Sequence, residues 1–108
     1  MTSFDNREKA YESKFAHDAE LKFKATARRN KLLGLWAAEK MGLTGDEADN
    51  YAKGVVLADL EEPGEEDVFR KVRGDFDEAS IEQSDHQIRR TMEELMDKAV
   101  TQIEDARD

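Results

Sequence analysis

The chain contains no cysteine, one proline, one tryptophan and two tyrosines in 108 residues. Without cysteine there are no disulfides, no thiolate nucleophile and no sulfur-ligated metal, so stability must come from packing alone, and a reducing compartment is compatible. The longest apolar run, interrupted by a single glycine, is LLGLWAA at residues 32–38, far short of the roughly 20 residues that cross a bilayer. No apolar h-region follows the polar start, so neither a secretory leader nor direct membrane insertion is expected, and the expected location is the cytoplasm. Basic charge is also scarce. Seventeen Lys and Arg stand against 26 Asp and Glu, and the net charge of −9 argues against nucleic-acid binding, which depends on neutralising phosphates.

What is abundant is charge with helical periodicity. Residues 1–31 hold eight basic and five acidic groups, whereas 32–108 hold nine and 21, so the amino end is positive and the remainder strongly acidic. A chain of this length closes one modest core, and one domain is the natural expectation. No alternating apolar run of strand length and no internal repeat occurs.

A first helix is expected from an N-cap at Thr2 or Ser3 to Met41, with Gly42 as its left-handed stop. Such a helix would span roughly 57 Å, too long for a domain whose radius of gyration is about 13 Å, so its amino-terminal half should protrude. TGDE, with Thr44 and Glu47 as a capping box, opens a second helix that carries Ala48, Tyr51, Ala52, Val55 and Leu60 towards a core. Pro63 and Gly64 stop it. Glu65, Glu66 and Asp67 then favour the amino end of a third helix bearing Val68, Phe69 and Val72, for which Gly74 is the expected stop. SDHQ forms a second capping box, Ser84 to Gln87, ahead of a fourth helix with Ile88, Met92, Leu95, Ala99 and Ile103 inward. The predicted class is all-α: a four-helix bundle with a long first helix.

The apolar face of that first helix turns along its length. Phe4, Tyr11 and Phe15 fall within about 40° of one another on the helical wheel. Leu21, Ala25, Leu32 and Trp36 cluster about a quarter-turn away, widened by Leu33, Leu35 and Met41. Two faces imply two neighbours. The bundle, residues 21–108, takes the second face, and residues 1–20 form an arm whose aromatic stripe is left for a partner. Asp5 with Lys9, Asp18 with Lys22 and Glu20 with Lys24 support helix in the arm.

Signatures of catalysis are missing: there is no phosphate loop, dinucleotide fingerprint, nucleophile elbow or zinc-deaminase motif, and no enzyme activity is expected. His17 and His86 could titrate or bind metal but read more simply as solvated polar positions. EEPGEED, with Glu61, Glu62, Glu65, Glu66 and Asp67, could attract a hard cation, yet helix breaking and dipole compensation already explain it, and no specific metal site is expected. Arg28 and Arg29 in RRNK, together with Arg89 and Arg90, could hold a phosphate; surface charge is the simpler account.

At FAHDAELKFKATARRNKLLGLWAAEKMGL and at EEPGEEDVFRKVRGD the chain resembles the zeta subunit, the alphaproteobacterial inhibitor of the F-type ATP synthase, and TSFDNREKAYESKFAHD is similar to that family's inhibitory segment. The resemblance implies a four-helix protein whose amino-terminal arm enters a catalytic alpha/beta interface beside the gamma subunit of the central stalk and blocks rotation. Phe4, Tyr11 and Phe15 would then anchor the arm, with Arg7, Lys9 and Lys14 meeting acidic surfaces of the alpha and beta subunits. It also implies weak ATP or ADP binding to the bundle, a monomer when free, and a place at the cytoplasmic face of the inner membrane when bound. The alternative is a small helical nucleotide-binding regulatory protein with weak or no inhibition.

Overall fold

In the computed structural model, residues 19–61 and 65–106 are described, and these form four helices. They are α1 (Ala19–Lys40), α2 (Gly45–Glu61), α3 (Glu65–Glu78) and α4 (Asp85–Ala106). The fold is an all-α four-helix bundle, with no strand among the described residues. The expected course of the first helix before Ala19 lies outside them.

α1 is the central element. It packs broadly against α2 and α4, while α3 closes the bundle through contacts to the other three helices. Leu33, Val55, Val68, Val72, Phe76 and Ile88 are fully buried and bring residues of all four helices into one core. The Trp36 and Phe76 rings meet at 5.6 Å between centroids and 59° between planes, a tilted arrangement favoured by the ring quadrupoles. Leu21, Ala25, Ala52, Met92 and Ala99 are buried as their spacing implies, whereas Trp36, Met41, Tyr51 and Leu95 are half-buried against the cluster.

The helix ends are set by local chemistry. Leu43 N–H donates to the Ala38 carbonyl at 2.9 Å and Gly42 N–H to that of Glu39 at 3.1 Å. With Gly42 at φ +77°, this is the Schellman stop expected for α1. The capping box of α4 is reciprocal: Ser84 N–H donates to Gln87 Oε1 at 2.9 Å, and Gln87 N–H donates to Ser84 Oγ at 3.1 Å.

Two expectations need correction. α3 does not stop at Gly74 but continues to Glu78. Glycine inside a helix costs about 1 kcal/mol, while burying a phenylalanine side chain contributes roughly 1.5–3 kcal/mol; continuation places Phe76 at zero exposure, which outweighs the glycine. The second correction is Leu60, which is 49% exposed rather than in the core. It follows Val55 by five residues, about 140° around the helix, and so points away from the face that meets α1.

Candidate functional site

The expected partner-binding residues Phe4, Arg7, Lys9, Tyr11, Lys14 and Phe15 lie outside the described residues. What the structure gives is the surface at which that segment joins the bundle. Ala19, the first described residue of α1, lines an open groove of about 650 Å³. Lys22, Phe23 and Thr26 of α1 form one wall, and Asp59 of α2, Glu65 of α3 and Met96 of α4 contribute the others. Helical spacing of three and four residues is what puts Ala19, Lys22, Phe23 and Thr26 on a common side of α1. Phe23 is 58% exposed, the most exposed large apolar side chain among the described residues.

Arg29 also lines this groove, yet its side chain is only 1% exposed. Its Nε donates to Asn30 Oδ1 at 2.7 Å and its Nη1 to Glu65 Oε1 at 3.3 Å, the latter carboxylate remaining largely in solvent. A buried guanidinium needs such partners, because an isolated charge out of water is costly. The pair ties the middle of α1 to the first turn of α3.

The four arginines singled out in the sequence separate into different contacts. Arg89 grips Glu66 with two parallel hydrogen bonds, Nη1 to Oε1 at 2.8 Å and Nη2 to Oε2 at 3.1 Å, and its guanidinium carbon sits 4.0 Å from the centre of the Phe69 ring. This combines a forked ion pair with a cation–π contact. The hydrogen bonds from Arg89 hold the Glu66 carboxyl below its ordinary value, and those to Glu66 raise the Arg89 guanidinium in turn. Arg28 donates to Gln102 at 3.1 Å, joining α1 to α4, and Arg90 pairs with Glu94 one turn along its own helix at 3.1 Å. Arg29 and Arg89 thus address the adjacent acids Glu65 and Glu66, while Arg28 and Arg90 face elsewhere.

Of the acids of EEPGEED, Asp67 pairs with Arg70, as Glu65 and Glu66 pair with Arg29 and Arg89. Among the described residues no group of three His, Cys, Asp or Glu side chains is arranged to hold a metal ion. His86 is exposed in the first turn of α4, and His17 lies outside the described residues. No helix of the described residues is long and apolar enough to cross a membrane. The burial of Arg29 and the exposure of Phe23 were not anticipated from sequence. Periodicity offered a signal only for Phe23, which falls outside both apolar faces of its helix.

Comparison with known proteins decides the family. The family model for ATPase inhibitor subunit zeta matches residues 1–102. The chain belongs to the ATPase inhibitor subunit zeta family. A protein whose structure was determined in solution by NMR is similar to this zeta-family chain, with 51% sequence identity and a TM-score of 0.70; the match covers 80% of this chain and 98% of that one. No curated protein matches it. The zeta family match includes the residues ahead of Ala19 as well as the four helices.

Proposed function

We propose that this chain is a non-enzymatic inhibitor of ATP hydrolysis by the F-type ATP synthase, acting through its amino-terminal arm. The arm enters a catalytic alpha/beta interface near the gamma subunit and blocks rotation, with Phe4, Tyr11 and Phe15 as anchors and Arg7, Lys9 and Lys14 guiding encounter. The observation that carries this reading is the zeta-family match from residue 1 to residue 102. It is supported by the described core, in which the face of α1 from Leu21 onward is buried together with residues of the other three helices. This is helix-in-groove recognition, in which a segment orders on docking and spends part of its interaction energy on that order. The free protein is a monomer in the cytoplasm and meets the synthase at the cytoplasmic face of the inner membrane.

The test is a titration of purified ATPase head with the full chain and with a chain starting at Leu21. The full chain should suppress hydrolysis and the shortened one should not, while both melt cooperatively. Equal inhibition would defeat the arm mechanism. The rival reading, a nucleotide-binding regulatory bundle, would use Arg28, Arg29, Arg89 and Arg90. Each of these already has a carboxylate or amide partner, so a phosphate would have to displace it. Saturable ATP-induced NMR shifts in the bundle, together with an unchanged hydrolysis rate, would favour that rival.

A further inference from the structure

The α2 helix carries two apolar faces, and the core uses one of them. Ala52 and Val55 are buried, closely approached by Gly34 of α1. Lys53, Val56, Leu57 and Leu60 recur at intervals of three, one and three, which places them on a common side of the helix. That side is turned outward, with Leu57 57% and Leu60 49% exposed. A single exposed leucine needs no explanation, but here neighbouring apolar side chains border a concavity, which marks a contact surface. An open groove of about 540 Å³ lies between α1 and α2; Ala52, Val56 and Leu57 supply its apolar lining, and Lys31, Lys53 and Asp49 its charged lining.

Charge decides what fits there. α1 holds six basic residues against two acidic, whereas α2, α3 and α4 are each net negative. Lys53 is the single basic residue of α2, and it meets Lys31 of the positive helix at this groove. Arg29, Arg70, Lys71, Arg73, Arg89 and Arg90 each hold a carboxylate. Lys31 and Lys53 are exposed, and neither makes an ion pair or hydrogen bond among the described residues. We propose that the groove docks an acidic amphipathic helix of a protein partner, which lays an apolar side chain on Val56 and Leu57 and sets flanking carboxylates against Lys31 and Lys53. Side chains have to make the contact, because the α2 backbone is paired within its own helix and offers no strand edge; helix-in-groove docking is the mode that remains. Carboxylates three or four positions from an apolar anchor share its helical face, as the two lysines require. A second copy of this chain is a poor occupant: its acidic amphipathic helices α3 and α4 turn their apolar faces into the core, and two chains of net −9 repel. An anionic membrane surface meets the same repulsion. None of these residues belongs to the arm, so the contact is independent of arrest by residues 1–20.

The experiment titrates the isotope-labelled full chain with two synthetic amphipathic peptides of about 18 residues, five turns of helix. Both carry one leucine face; the polar positions are glutamate in one and lysine in the other. The glutamate peptide should give saturable NMR shifts centred on Lys31, Lys53, Val56 and Leu57, and the lysine peptide none. Leu57→Ser, and Lys31→Glu combined with Lys53→Glu, should each weaken binding about tenfold with cooperative melting retained, while Lys98→Glu, exposed on α4 and outside the groove, leaves the affinity as it was. The charge-reversed chain should take up the lysine peptide instead, an exchange that indiscriminate apolar adhesion would not produce. Shifts that do not saturate, shifts centred elsewhere, or equal binding of both peptides to the parent overturn the proposal. Two further results overturn it when the glutamate peptide gives no response. Binding to phosphatidylglycerol vesicles that Leu57→Ser abolishes assigns the groove to a membrane, and a dimer in sedimentation equilibrium that Leu57→Ser dissociates assigns it to a second copy.

Discussion

Gly34 of α1 lies so close to Ala52 of α2 that a Cβ placed on the glycine would be 2.5 Å from the Ala52 Cα and 3.0 Å from its Cβ. The two helices therefore cross at a glycine–alanine contact, with Val55 filling the space beside it at 3.3 Å. Backbone, not a flexible side-chain tip, is the obstacle, so any side chain at position 34 must separate the helices.

Gly34→Ala should therefore destabilise the bundle although alanine is the better helix former. The propensity gain is about 1 kcal/mol, while overpacking of this kind costs about 1–3 kcal/mol and also loosens the neighbouring Val55 packing. Urea unfolding followed by circular dichroism should show a lower midpoint. An unchanged or higher midpoint would mean the helices can part without penalty.

Ser80 sits just beyond α3 with φ +57°, and the Ile81 N–H donates to the Phe76 carbonyl at 2.8 Å. It occupies the left-handed position of a Schellman stop, where a side chain costs about 1–2 kcal/mol relative to glycine. Ser80→Gly should stabilise the protein by about 0.5–1 kcal/mol after the greater freedom of glycine in the unfolded chain is subtracted. Thermal unfolding monitored by circular dichroism reads this directly, as a rise in Tm.

Arg89 holds the Glu66 carboxyl below its ordinary value of 4.5, chiefly through the forked hydrogen bonds. A depressed carboxyl contributes stability that is fully present above the unfolded value and lost as pH falls through the folded one. The α3–α4 contact should therefore weaken on acidification below about pH 4.5, while Arg89 stays charged throughout. Glu66→Gln should be less stable than the parent at neutral pH, and the two should converge at the acid end of a pH series of urea melts. A constant gap would place the effect in packing against Phe69 instead.

Inhibition should also depend on salt. The amino-terminal 31 residues carry an excess of three positive charges in a chain of net −9, and Arg7, Lys9 and Lys14 are proposed to meet acidic surfaces. Steering of this kind acts on association and is screened as the Debye length shrinks from about 10 Å at 0.1 M to about 3 Å at 1 M salt. The onset of inhibition should slow severalfold over that range, with less change in its final extent. A salt-independent onset would leave those three residues without a role in encounter.

The sequence by itself determined the stop of α1 at Gly42 and the starts of α3 and α4, because those signals are local. Gly42 needs a positive φ, Ser84 and Gln87 reach each other across one turn, and three acids favour the start of α3; none of this requires a second element. It also determined most inward faces, since Ala25, Leu33, Val55, Val72 and Ile88 repeat with helical spacing, and it carried the family resemblance that the match over residues 1–102 bears out. Only the tertiary structure decided the matters that depend on a neighbour. Gly74 reads as a stop until Phe76 has a core to fill, and Leu60 reads as apolar cargo until the α1–α2 crossing turns it outward. Arg29 reads as surface charge until Glu65 arrives from another helix to receive it. Local signals survive in any context, whereas burial is a property of two surfaces at once, and one helix cannot specify what will be laid against it.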